Sequence, residues 1–135
     1  MNSLRLHVER GNRPKLLRWG KHEGIRGAEW IELDEGGQLL LRRYLPNAKG
    51  KSSAESLGER SRERFGELVG QVMAIPEGEL ATLLQQPPMG NALSLACCCE
   101  GADWEIYFAP HLLEGCPYVR DLAARFQALL GEGSE

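Results

Sequence analysis

The chain has 135 residues, a hydrophobic fraction of 42%, a charged fraction of 26% and a formal net charge of −3 at pH 7. This length and composition are typical of one globular domain that buries its own core. The overall charge argues against a strongly basic nucleic-acid-binding protein. No run approaches the roughly 20 apolar residues of a membrane-spanning helix, and the N-terminus does not read as a secretory leader. We therefore expect a single cytoplasmic domain over residues 1–135 that does not associate with membranes.

The first 27 residues predict a short hairpin followed by a loop. Residues 4–8, LRLHV, alternate apolar and polar side chains with the period of a half-buried strand. The sequence RGNRP at 10–14 favours a turn, and residues 15–19, KLLRW, predict a second strand. Glycines punctuate residues 20–27, which we expect to form a loop.

A clearer hairpin is predicted over residues 28–45, AEWIELDEGGQLLLRRYL. Its turn lies at residues 34–37, where two glycines permit a tight reversal. A three-residue loop would set the register and would place apolar pairs on one face and charged or aromatic pairs beside them. The expected cross-strand pairs are Leu33–Leu39, Ile31–Leu41, Glu29–Arg43 and Trp30–Arg42.

The middle of the chain predicts a loop and two helices. Residues 46–62 are small, polar and charged, and we expect a mobile loop there. Apolar residues then recur with helical spacing over 65–73, although Gly66 and Gly70 weaken a helix and leave a strand over 68–75 as the alternative. A second helix is predicted over 76–86, with Pro76 at its first position.

The last third predicts one more hairpin and one more helix. Residues 93–99 alternate in polarity, and the turn EGAD leads into a second alternating run that ends at Phe108. Residues 117–131 form an amphipathic pattern between Pro117 and Gly131, with Leu130 among the residues expected to point inward. The chain therefore predicts an α+β fold. We expect an antiparallel sheet of about six strands in three hairpins, with two to three helices packed on one face.

Three adjacent cysteines, Cys97, Cys98 and Cys99, make a poor disulfide framework and indicate a reducing compartment. In a regular strand Cys97 and Cys99 share a face but lie about 6.5 Å apart along the chain. Two sulfurs on one zinc ion lie only about 3.8 Å apart, so a site formed with His111 and Cys116 is not favoured. We expect these cysteines to fill the strand as small apolar residues, and we expect no metal and no cofactor.

Cys116 stands just before a predicted helix. A helix N-terminus favours the thiolate, so Cys116 is the best candidate if any cysteine is reactive, but we favour the interpretation that it only occupies the N-cap position. No nucleophile elbow and no phosphate-binding glycine loop is present in the sequence. An enzyme of unknown type is therefore the third interpretation of this chain, behind two binding functions.

The alternative function is binding of nucleic acid or another polyanion through the basic N-terminal region. Arg13, Lys15, Arg18 and Lys21 could pair with phosphates while a nearby indole stacks on an unpaired base. The same residues could instead keep an edge strand from pairing with other chains.

The favoured function is protein binding through one face of the hairpin at 28–45. Trp30, Arg42 and Tyr44 would share that face, with Trp19 beside it, and aromatic residues and arginine are enriched at interface cores. Because both faces of this hairpin carry bulky side chains, either the helix over 65–73 or another chain must cover the second face. We expect a non-catalytic protein-binding module whose partner is another protein or, in a homodimer, a second copy.

Overall fold

The computed structural model describes residues 3–46 and 51–131, and over these ranges the fold is α+β, as expected. A six-stranded antiparallel sheet has the strand order β4-β3-β2-β1-β5-β6. Short 3-10 turns at Gly24–Arg26 and Pro110–Gly115 link elements. The strands are β1 (Pro14–Glu23), β2 (Ala28–Asp34), β3 (Gln38–Leu45), β4 (Lys51–Glu59), β5 (Asn91–Cys99) and β6 (Ala102–Phe108), and the helices are α1 (Ser3–Glu9), α2 (Arg62–Met73), α3 (Glu77–Leu84) and α4 (Pro117–Gly131).

The strands are connected differently from three separate hairpins. β1 to β4 form a continuous meander, and the β5–β6 hairpin joins the sheet beside β1. β1 therefore lies inside the sheet and pairs with β2 on one side and β5 on the other. The expected number of strands is confirmed, and the pairing of residues 4–8 with 15–19 is wrong.

The helices pack on one face of the sheet, which we call the helix face. Its core joins buried residues of the helices, such as Leu4, Val72 and Phe126, to strand residues such as Leu17 and Leu95. In an antiparallel sheet directly paired residues project to the same side. The opposite side, the open face, carries Arg18, Trp30, Glu32, Arg42 and Tyr44 on the meander and Ser94 and Tyr107 on the β5–β6 hairpin.

Two segments adopt structures that the sequence did not predict. Residues 4–8 lie in α1, because Leu4 and Val8 are one helical turn apart and both pack on the core. Residues 51–59 form β4, an edge strand paired with β3, where a mobile loop was expected. Most side chains of β4 are exposed, so its sequence carries almost no hydrophobic alternation. Residues 47–50 of that predicted loop lie outside the described residues.

The remaining predictions are confirmed in part. The four cross-strand pairs predicted for β2 and β3 are all present. The segment from Phe65 is helical, and the strand alternative is wrong. α4 has the predicted limits, although Leu130 is 44% exposed instead of buried. The predicted loop over 20–27 is shorter, since β1 continues to Glu23. No helix in the described part of the chain is long and apolar enough to cross a membrane.

Candidate functional site

Within the part of the chain that the structure describes, no helix covers the open face. The buried cluster contains the helix-face residues of the strands and none of the open-face residues Trp30, Arg42 or Tyr44. The side chain of Arg42 is 42% exposed, and Tyr44 is 40% exposed. Of the two alternatives for covering this surface, the helix over 65–73 is wrong. The inward residues of α2, including Phe65 and Leu68, pack into the core on the other side of the sheet.

A buried carboxylate organises the centre of the open face. Glu32 is only 6% exposed and accepts a hydrogen bond from Trp30 Nε1 at 3.1 Å. Arg42 Nε donates a hydrogen bond to one of its oxygens, whereas Arg18 Nε lies 3.2 Å from the other oxygen as an ion pair without hydrogen-bond geometry. These hydrogen bonds hold the side chains of Trp30 and Arg42 in one orientation, because the acid is desolvated and its bond with Arg42 is charge-assisted. The cluster carries one net positive charge.

An aromatic row crosses the open face next to this cluster. The imidazole of His22 is stacked on Trp30 at a centroid distance of 6.3 Å and meets the edge of Tyr107 at 5.3 Å. His22 Nε2 lies 3.2 Å from Ser94 Oγ, within hydrogen-bonding distance. Trp30 pairs with Gly20, where a Cβ atom would overlap the Cβ and Cα atoms of Trp30. This close packing restricts movement of the rings. A binding partner would therefore meet rings that are already ordered, which lowers the entropic cost of binding.

Two titratable side chains of this face are weak acids. Burial raises the pKa of the Tyr107 hydroxyl, and its hydrogen bond with Glu105 acts in the same direction. Burial also raises the pKa of the Cys98 thiol, although Arg18 Nη2, 3.9 Å from its sulfur, acts in the opposite direction. Both groups stay protonated at neutral pH, so the face offers hydrogen-bond donors, aromatic rings and guanidinium groups to a partner, together with the carboxylates of Asp103 and Glu105 on β6.

Trp19 does not belong to this surface, which corrects one of the four predicted binding residues. Its indole is 5% exposed on the helix face and stacks on Phe126 with ring centroids 5.9 Å apart. The physical reason is the alternation of β1, which sends Trp19 and Arg18 to opposite sides of the sheet. Trp30, Arg42 and Tyr44 do lie together, as their shared parity in the hairpin predicted.

The four basic residues proposed for polyanion binding do not form one patch. Arg18 lies on the open face with Glu32, whereas Lys21 lies on the helix face and pairs with Glu23 at 3.2 Å. Arg13 and Lys15 share the carboxylates of Glu35 and Glu100 at the other end of β1. Each of the four cations therefore already has an acidic partner within the chain.

The cysteines lie closer together than regular strand geometry predicts. Cys97 Sγ and Cys99 Sγ are 4.0 Å apart and buried, with the irregular pairing of Pro14 and Leu16 nearby. The expected separation of about 6.5 Å is the rise of the backbone over two residues. The two sulfurs are closer because the side chains lean toward each other. Burial raises the pKa of both thiols. Among the described residues, no group of three or more histidine, cysteine or acidic side chains is placed to hold a metal ion.

Cys116 is not activated by the helix that follows it. The residue is fully buried, and burial followed by the charge of Glu79 raises the pKa of its thiol. The carboxylate of Glu79 occupies the start of α4, where it accepts hydrogen bonds from Tyr118 N and Val119 N. An acid at this position satisfies the free amide groups and opposes a thiolate beside it.

Sequence reasoning missed Glu32, His22 and Tyr107. Glu32 carried a usable signal, because it lies two residues after Trp30 and therefore on the same face of β2 as Trp30. His22 and Tyr107 come together only because β5 inserts beside β1, a pairing between strands roughly seventy residues apart. No protein-family model matches this chain, and no curated protein sequence matches it either.

Proposed function

We propose that this chain is a protein-binding module and that its partner, another protein or a second copy of the chain, docks on the open face. The observation that carries the proposal is the partly exposed group of Trp30, Arg42 and Tyr44 on a sheet face that no helix of the described chain covers. Tryptophan, tyrosine and arginine are the residue types that dominate binding energy at protein interfaces.

The fixed geometry around Glu32 supports the same proposal. Binding costs free energy when long side chains must be ordered, at about 0.5–1.5 kcal/mol for each. Glu32 already holds Arg42 and Trp30 in the free chain, and His22 supports Trp30 from the other side. These side chains are therefore already ordered before a partner binds, so binding loses less side-chain entropy.

The first experiment is native mass spectrometry of the purified protein. A doubled mass identifies the partner as a second copy. If the measured mass is that of one chain, a photo-crosslinking amino acid is placed at Tyr44 in one variant and at Leu45 in another. Both variants are then expressed in the source cells. These neighbours in β3 are 40% and 49% exposed and project to opposite faces of the sheet.

The proposal predicts a discrete adduct from position 44 and none of that mass from position 45. In the dimer case, Tyr44→Glu separates the copies and Leu45→Glu does not. Both substitutions are at exposed positions, so far-UV circular dichroism should stay unchanged. Equal adducts from both positions, no adduct from position 44, or a dimer that survives Tyr44→Glu would each exclude the open face as the docking surface.

A further inference from the structure

A cavity of about 340 Å³ lies on the helix face, between the last turns of α4 and the strands β1, β2, β3 and β5. Ile31, Leu41, Leu93 and Leu130 line it with apolar side chains. This volume is at the lower end of the range of about 300–1,000 Å³ for small-molecule sites. Ile31 and Leu41 project to the opposite side of the sheet from the open face, and Gly20 and Trp30 also line the cavity.

A second cavity of about 140 Å³ lies next to it, and Lys21 and Glu29 line both cavities. Arg26 and Arg43 line this smaller cavity, near the 3-10 turn Gly24–Arg26. The apolar side chains of the first cavity therefore lie beside a second, polar cavity. A molecule that filled both would need an apolar body and a polar head.

The charge of this polar region favours an anionic head. Lys21 pairs with Glu23 at 3.2 Å, and Arg43 pairs with Glu29 at 2.8 Å, so these four charges compensate one another. Arg26 is exposed, and within the described residues it has no carboxylate within ion-pair distance. The second cavity thus holds one uncompensated positive charge.

Leucine side chains at the two cavities are left in solvent. Leu130 is 44% exposed although the helical pattern of α4 directs it toward the sheet, and Leu45, at the second cavity, is 49% exposed. Covering such side chains with an apolar chain is favourable, at roughly 25 cal/mol per Å².

We propose that the paired cavities bind a small amphipathic carboxylate, with its apolar chain between α4 and the sheet and its carboxylate at Arg26 and Lys21. A guanidinium group binds carboxylate oxygens through charge-assisted hydrogen bonds. This site can be tested separately from the open face, because Arg42 and Tyr44 line neither cavity.

Decanoate, decanol and decylammonium, each below its micellar concentration, are the probes for isothermal titration calorimetry. The proposal predicts saturable binding of one decanoate per chain. Decanol should bind about tenfold more weakly, which corresponds to the loss of one charge-assisted contact. Decylammonium should bind more weakly still. No saturable binding of decanoate, or binding of decylammonium as tight as that of decanoate, would overturn it.

Matched variants test where decanoate binds. Leu130→Arg should weaken decanoate by at least roughly tenfold, whereas Leu84→Arg, on α3 and 54% exposed, should not change it. Arg26→Glu should weaken decanoate and leave decanol unchanged, with the exposed Arg5→Glu on α1 as its control. Equal affinity of Leu130→Arg and the unsubstituted chain would refute the site. Tyr44→Glu should bind decanoate normally, which separates a failure here from a failure of the open-face proposal.

Discussion

The guanidinium group of Arg60 donates two hydrogen bonds to the carbonyl oxygen of Leu129, at 3.0 Å from Nε and 2.8 Å from Nη2. Its Nη1 donates to the carbonyl oxygens of Leu57 and Glu59. Arg60 is 9% exposed and lies between β4 and α2, so it ties the end of β4 to the last turn of α4. A cation at a helix C-terminus satisfies free carbonyl groups and interacts favourably with the helix dipole.

Replacing Arg60 with methionine should lower the free energy of unfolding by about 2–4 kcal/mol, because buried carbonyl groups lose a charged donor. The measurement is urea denaturation followed by circular dichroism. Arg62→Met, two residues later at the exposed start of α2, is the control and should change stability by less than about 0.5 kcal/mol. Similar effects of the two substitutions would show that Arg60 does not stabilise the α4 terminus.

Glu32→Gln should destabilise the chain by about 1–2 kcal/mol, a value reduced because both arginine partners are partly exposed. The neutral amide leaves two guanidinium groups without an anion at the centre of the open face. Glu29→Gln is the matched control, since its pair with Arg43 is exposed on both sides and should matter little. If the Glu32→Gln and Glu29→Gln variants are equally stable in urea, the contacts of Glu32 with the two arginines do not stabilise the fold.

Gly20→Ala should cost several kcal/mol, since the added Cβ would overlap Trp30 and lie 2.5 Å from the carbonyl oxygen of Glu29. Gly70→Ala on α2 should instead stabilise by up to about 1 kcal/mol, because that position has open space and alanine favours a helix. Thermal unfolding of both variants checks the pair. A neutral Gly20→Ala would show that Trp30 can move away from β1.

Thiol labelling with Ellman's reagent should modify one cysteine of the folded protein. Cys98 is partly exposed on the open face, whereas the other three cysteines are buried. Labelling in denaturant should reach all four cysteines of the chain. Cys98→Ala should abolish the native signal, and bound partner should slow it. A native signal that survives this substitution would place a reactive thiol elsewhere, with Cys116 as the first candidate.

Stability should fall as the pH rises above 9. Burial raises the pKa of Cys97 above its ordinary value of 9.0, so the folded chain keeps this proton while the unfolded chain releases it. The stabilisation is complete below pH 9 and is lost as the pH rises toward the pKa of the folded state. Cys97→Val removes this ionisation and should lose about 1 kcal/mol less than the original chain between pH 8 and pH 10. Urea denaturation at both pH values measures the difference, and identical losses would contradict the assignment.

Local patterns account for the parts of the structure that sequence reasoning predicted. The register of β2 and β3 followed from a glycine turn and strict alternation, and α4 followed from its apolar spacing between Pro117 and Gly131. The same alternation placed Trp30, Arg42 and Tyr44 together on one surface. It was ambiguous for residues 4–8, since a two-residue and a four-residue period both fit so short a run.

Tertiary structure decided the rest. A strand such as β4, with short exposed side chains, is held by its hydrogen bonds to β3 and carries little signal of its own. Which face of the sheet the helices cover depends on packing between residues far apart in the chain, as the contact of Trp19 with Phe126 shows. Side-chain periodicity is a local property and determines what each element presents on either side. Which of those sides faces solvent depends on how elements distant in the chain pack together, because packing buries the largest apolar surfaces.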